Sequence, residues 1–133
     1  MRRSNPPTLS RPVGYTHVVE ATPRRTLYIA GQVALDAAGA LVGAGDLRAQ
    51  TEQVFRNLRL ALEAGGATFE DVAKITVFML DASQIQVYRD VRDRHLPGNL
   101  PASTLVQVAR LARPEWLIEI EAIATVEDGR AGA

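Results

Sequence analysis

Only two histidines occur in the chain, His17 and His95, and there is no cysteine. Imidazole is the side chain that donates, accepts or shuttles a proton near neutral pH, so His17, at the head of an extended stretch after Gly14-Tyr15-Thr16, is a candidate for proton chemistry. His95, near the end of a helical stretch, reads as a structural residue at the helix terminus. Thiolate catalysis and cysteine metal sites are excluded outright. Two histidines alone make a poor metal centre, so no metal is expected. Carboxylates come as a pair: in Ile118-Glu-Ile-Glu-Ala-Ile-Ala-Thr-Val126 the side chains of a strand alternate, so Glu119 and Glu121 project together from the face opposite Ile118, Ile120, Ala122, Ala124 and Val126. The segment before it, Ala102 to Leu111, reads as the antiparallel partner in a β-hairpin around Ala112-Arg-Pro-Glu115. Val106 and Val108 then share one face, while Ser103, Leu105, Gln107 and Ala109 take the other.

The elements that must position these groups follow from periodicity. Residues 1–13, with Pro6, Pro7 and Pro12, read as an irregular N-terminal arm, and 127–133 as a flexible tail. Val18 to Ala21 and Thr26 to Leu35 are two strands about a Thr22-Pro-Arg-Arg25 turn. Gly31 lies inside the second, where a glycine marks a bulge or a close approach of backbone or ligand. Leu47, Thr51, Val54, Phe55, Leu58, Ala61 and Leu62 repeat at three-and-four spacing behind an Asp46 N-cap, which predicts a helix stopped by Gly65-Gly66. On its outer face Glu52 and Arg56 stand four residues apart, the spacing of an ion pair. Val72 to Leu80 alternates as a third strand. A second helix then runs from a cap at Asp81 or Ser83 to about His95, with Leu96-Pro97-Gly98 as its stop and Ile85, Tyr88, Val91 or Arg92, and His95 along one stripe. The order strand, strand, helix, strand, helix, strand, strand predicts one α+β domain over residues 1–133, a mixed sheet of five or six strands with two helices on one face. Leu27, Ile29, Val33, Leu35, Leu105 and Ala109 fall on the parity assigned to the uncovered face, too apolar for a monomer, so an oligomer is expected.

Composition sets the outer bounds. A chain of 133 residues with 47% hydrophobic content holds one core. Lys and Arg number 15, as do Asp and Glu, so the balanced charge gives a polyanion no general purchase and nucleic acid is not the expected partner. No stretch approaches the roughly 18 apolar residues of a membrane span, and Met1-Arg-Arg is not followed by an apolar leader core. A cytoplasmic protein without membrane attachment is expected.

Four blocks, taken together, resemble the RidA/YjgF/L-PSP family of small trimeric proteins. They are Gly14-Tyr-Thr-His17; Tyr28-Ile-Ala-Gly-Gln32; Gln50 to Asn57 leading into Val72-Ala-Lys-Ile-Thr-Val-Phe-Met-Leu-Asp81; and Leu100-Pro-Ala-Ser-Thr-Leu-Val-Gln-Val-Ala-Arg-Leu111 with Ile118-Glu-Ile-Glu-Ala-Ile-Ala124. The resemblance implies the YjgF/chorismate-mutase-like fold, a homotrimer with ligand pockets between subunits, and hydrolysis of reactive imines and enamines without a cofactor. It assigns Glu119 to positioning the attacking water and Gly31 to the pocket backbone. His17 takes the place of a pocket tyrosine, and Leu105 that of a cysteine. At Ser103 the family's substrate-clamping arginine is missing, which groups the chain with arginine-lacking branches. Arg89 aligns with a pocket asparagine on the second helix and becomes the candidate replacement clamp for an acid; Arg110, of opposite parity to Ser103, is directed to the helix side. The function implied is a cofactor-independent deaminase of a small imine, enamine or related metabolite. The alternatives are a non-catalytic trimer that binds a small metabolite and, more distantly, an RNA-cleaving inhibitor of translation.

Overall fold

Alternating apolar residues over 118–126 and 72–79 demand strands buried on one side, and the three-and-four repeat from Leu47 demands a helix to cover them. The computed structural model describes residues 1–96, 98 and 100–127 and contains these elements in the order β1 (Arg2–Ser4), β2 (Val18–Glu20), β3 (Arg25–Gln32), α1 (Leu47–Ala64), β4 (Val72–Met79), α2 (Ile85–His95), β5 (Ala102–Gln107) and β6 (Ile118–Val126). The result is the expected α+β fold with two helices. Its six strands divide into a four-stranded mixed sheet, in the order β3-β6-β4-β5, and a separate β1-β2 ribbon. The arm thus begins as a strand, Arg2 opposite Glu20 and Ser4 opposite Val18. Of the expected tail only Glu127 is described, where it meets the N-terminal ammonium; residues 128–133, and Pro97 of the helix stop, lie outside the described residues.

The expected β-hairpin is not formed. β5 pairs in parallel with β4, and β6 pairs with β4 antiparallel on the other side, so β4 separates the two. Beyond Met79 the bracketing continues: Val108 N–H donates to the Met79 carbonyl at 2.8 Å, and Leu80 N–H to that of Leu117 at 3.2 Å. Alternation announces a strand but not its neighbour. Here α2 carries the chain back over the sheet as a crossover, which is what a parallel pair requires.

The register also reverses the facing of the edge strands. Leu27 and Ile29 stand opposite Ala124 and Ala122, and Leu105 beside Val77, so all three pack against the helix-covered core and not on the open face. Val33 and Leu35 lie past the end of β3, and Ala109 past the end of β5. The open face is nonetheless apolar, through Tyr28, which is 80% exposed, Val106 at 38%, Phe78 and Ile123. Lys74 donates to the Thr104 hydroxyl on this face at 2.6 Å.

α1 buries Gln50, Thr51, Val54, Phe55, Leu58 and Leu62, each large apolar one contributing about 1.5–3 kcal/mol. Asp46 accepts from Ala49 N–H at 3.1 Å as its N-cap, and the Gly65 N–H closes the other end on Ala61 and Leu62. Glu52 turns away from Arg56 and pairs with Arg94 and His95 of α2. The His95 ring stacks on Phe55 at 5.0 Å and 9°, which makes it the half-buried structural histidine that its position suggested. Among the described residues no helix is long and apolar enough to cross a membrane.

Gln50 is fully buried and joins the helix to the entry of β6. Its Nε2 donates to the Gly43 and Glu115 carbonyls at 3.1 and 3.0 Å, and its Oε1 accepts from Leu117 N–H at 2.9 Å. Gln50→Ala removes the side-chain partner of the Glu115 carbonyl and the Leu117 N–H, while the Gly43 carbonyl keeps Asp46 N–H at 3.0 Å, and we expect urea denaturation to report a loss of about 2–4 kcal/mol; a loss below about 0.5 kcal/mol would show that water replaces the amide.

Candidate active site

Glu119 lies between the buried Ile118 and Ile120 and therefore projects to the open face, opposite Phe78 of β4. Its roof is Gly31. The β3 register slips between Ile29 and Gln32, a bulge that sets the Gly31 backbone directly on the carboxylate: a Cβ built at Gly31 would stand 2.8 Å from the Glu119 carboxyl carbon. Gly31 is required here by close approach, since any side chain would displace the glutamate. Burial raises the pKa of Glu119 above its ordinary value, and the neighbouring Glu121 carboxylate raises it further. Desolvation and like charge both disfavour the ionised form, which keeps a proton on this carboxyl to higher pH than on an ordinary glutamate. A carboxyl shifted in this direction is a stronger base than an ordinary glutamate.

A wide cleft of about 1050 Å³, lined by Gly31, Gln32, Asp36, Arg56, Asn57 and Leu60 among others, lies between the end of β3 and α1; it reaches Gly31, and Glu119 is not in its lining. The Asn57 amide donates to the Val33 and Leu35 carbonyls at 3.0 and 2.9 Å, and Gln53 reaches Leu35 at 3.4 Å. α1 thereby holds the chain that leaves the bulge. Sequence reading missed Asn57 and Gln53; their four-residue spacing on one helix side was the available signal.

The other candidates lie elsewhere. His17 is half-buried on the loop before β2, with its ring edge-on to Tyr15 at 5.1 Å. Its Nε2 meets the Ser10 carbonyl at 2.7 Å; a carbonyl can only accept, so that nitrogen is the donor. His17 N–H donates to the Asn5 side chain at 2.8 Å. Among the described residues no hydrogen bond or ion pair joins His17 to Glu119. Ser103 pairs with Ile75 and faces the helix side, beside the Tyr88 hydroxyl of α2. Leu105 follows it into the core. Arg89 is half-buried on α2 without a hydrogen bond or ion pair among the described residues. Arg110 is exposed, its guanidinium bonded to the Leu111 and Ala112 carbonyls. Within one chain, then, Gly31 and Glu119 come together, while Ser103 stands across β4 from Glu119 and points to the opposite face. Among the described residues no cluster of three His, Asp or Glu groups could hold a metal.

Because the folded-state pKa of Glu119 is raised, the folded chain binds more protons than the unfolded chain in the interval above the ordinary value of 4.5. Its charge therefore costs stability as pH rises through that interval. Glu119→Gln is expected to raise the melting temperature at pH 7 and to lose that advantage as pH falls below about 4.5; equal melting curves at both pH values would contradict a perturbed carboxyl.

Comparison with known proteins agrees with this architecture. The family profile described as Endoribonuclease L-PSP matches residues 8–126. A RutC family protein of Pyrococcus horikoshii is 36% identical over 118 residues, spanning 88% of this chain and 91% of its own. The 2-iminobutanoate/2-iminopropanoate deaminase of Mus musculus is 37% identical over 100 residues, 75% of this chain and 73% of its own. Among solved structures, a Rid family protein of unknown function from Yersinia pestis superposes with a TM-score of 0.88 at 39% identity, over 94% of this chain and 98% of its own. Profile, relatives and superposition agree over nearly the whole described chain: it belongs to the RidA/YjgF family, the family of the Endoribonuclease L-PSP profile.

Proposed function

We propose that the protein is a cofactor-independent deaminase that hydrolyses the C=N bond of a small 2-imino acid or its enamine tautomer, in pockets formed between the subunits of a homotrimer. The observation that carries this reading is the Gly31–Glu119 pair: a partly buried carboxyl of raised pKa, held under a backbone with no side chain. The deaminase named among its relatives supports the substrate class. In the proposed reaction ionised Glu119 takes one proton from water as the oxygen adds to the carbon of the protonated imine. The carboxyl then gives that proton to the amino nitrogen and, as the C–N bond breaks, takes the remaining hydroxyl proton, leaving a 2-oxo acid and ammonia with the proton the imine brought held on Glu119. Gly31 keeps the carboxyl partly shielded, which raises its basicity above that of an ordinary glutamate.

Assembly is part of the proposal because one chain does not complete a pocket. Ser103 is separated from Glu119 by β4 and by the thickness of the sheet, two strand spacings of about 4.8 Å each, and a four-carbon acid cannot reach both. β3 and β5 are the two outer strands of the main sheet, so a copy that presents its β5 and α2 to another's β3 brings the halves together. His17 and Arg89 would enter from the same side as Ser103 or from the arm that precedes β2. The open face, with Tyr28, Phe78, Val106 and Ile123, would be covered in the same event.

Generating 2-iminobutanoate in situ from an amino acid and following ammonia release tests the reading. The wild-type chain, at a solution mass three times 14.4 kDa, should accelerate release, and Glu119→Gln should lower the rate about a hundredfold or more. The replacement of an arginine by Ser103 favours one competitor, a trimer that binds a metabolite without turning it over. In that case ligands raise the melting temperature while ammonia release stays at the background rate.

A further inference from the structure

We propose that Arg92 of α2, with the Tyr88 and Ser103 hydroxyls, is the carboxylate-binding end of this pocket, so that the positive charge absent from β5 is supplied by the neighbouring helix. The proposal rests on the deaminase reading for the identity of the acid, and on the following geometry for the site. Arg92 is only 7% exposed, an unusual position for a guanidinium on the last turns of a surface helix. Its charge partner is Asp93, whose Oδ1 accepts from Nε at 3.0 Å and from a second guanidinium nitrogen at 2.9 Å while the carboxylate stays 63% exposed, so an entering anion can share the guanidinium with it. Its guanidinium lies 5.6 Å from the centre of the Tyr88 ring. The Tyr88 hydroxyl is wholly buried and has no hydrogen-bond partner, a state costing on the order of 1–3 kcal/mol unless something accepts from it. Burial pushes this phenol up to about 12, with Arg92 and then the Ser103 side chain drawing it partly back; both therefore flank the hydroxyl. A guanidinium, a phenol and a serine hydroxyl are all donors for a carboxylate's oxygens, and none is an obligate acceptor.

Access to this point is controlled by Gly14. It has φ 76°, and a Cβ there would fall 2.6 Å from a guanidinium nitrogen, so its backbone lies directly over Arg92. The loop is pinned one turn further on, where Thr16 donates from N–H to the Pro101 carbonyl at 3.0 Å and from its hydroxyl to the Leu100 carbonyl. The same tether holds the start of β5, and so Ser103. The Gly14–Thr16 loop is thus a cover that must lift for the acid to enter, and it ties the position of His17 to occupancy of the site.

The test uses 2-oxobutanoate, the stable hydrolysis product, titrated into the full chain. Arg92→Gln should weaken binding roughly ten- to a hundredfold, and Arg92→Lys should recover part of it. Tyr88→Phe should weaken binding several-fold without lowering the melting temperature, because it deletes a hydroxyl that is unsatisfied in the free protein; a merely structural tyrosine would leave affinity untouched. Should Arg92→Gln fail to fold, Tyr88→Phe and Arg92→Lys decide the matter. Unchanged affinity in folded Arg92→Gln, or a loss carried by Arg89→Gln instead, overturns the proposal. If the wild-type chain binds no 2-oxobutanoate yet releases ammonia from the imine, this site alone is overturned. If it does neither, the deaminase reading falls with it.

Discussion

Everything functional in this chain depends on one constraint: β6 is an inner strand whose alternate side chains have no choice of face. β3 and β4 take its backbone hydrogen bonds on both sides, and α1 covers Ile118, Ile120, Ala122 and Ala124. Shifting the strand by one residue would exchange those four for Glu119, Glu121 and Ile123, exposing apolar surface and burying two charges. Glu119 is consequently held on the open face, under the bulge at Gly31, by the burial of its neighbours and not by bonds of its own. Gln50 ties the entry of the strand to the first turn of α1 and sets where that alternation begins.

The same arrangement explains why an electrostatically unfavourable carboxyl persists. Its cost, from partial burial and from Glu121, is small beside the apolar burial of β6, so the fold can carry a group that an isolated strand would not. On the far side of the molecule the buried Arg92 and the unpartnered Tyr88 hydroxyl are a second local cost, offset by the Phe55, Tyr88 and His95 stack between α1 and α2.

Much of this was legible in the sequence where period and punctuation agreed. α1 shows it best, because Asp46, the repeat from Leu47 and Gly65 specify start, face and stop independently. β4 and β6 were legible for the same reason: an inner strand's alternation is complete. The edge strands were not, since Leu27, Ile29 and Leu105 are only partly covered and their parity gives no sign of which face the helices occupy. The β5–β6 hairpin misread sequence adjacency as spatial adjacency, when the crossover through α2 had already committed β5 to β4. Gly31 and Glu119 could be named from residue type and resemblance, but their contact depends on a bulge that no periodicity encodes. Arg92 was placed on the α2 stripe as an alternative to Val91, and both prove buried; what the stripe does not show is that the Gly14 backbone lies over its guanidinium.

The central claim is that one pocket draws its proton-transferring carboxyl and its acid-binding cation from different chains. Mixing two impaired variants, Glu119→Gln and Arg92→Gln, after joint unfolding and refolding, at a substrate concentration where each alone is slow, tests it most directly. In random mixed trimers about a quarter of the interfaces join an intact Glu119 to an intact Arg92, so ammonia release from 2-iminobutanoate should return to roughly that fraction of the wild-type rate. Mixed trimers that stay as slow as either parent would place both groups in the same chain's site and contradict the claim.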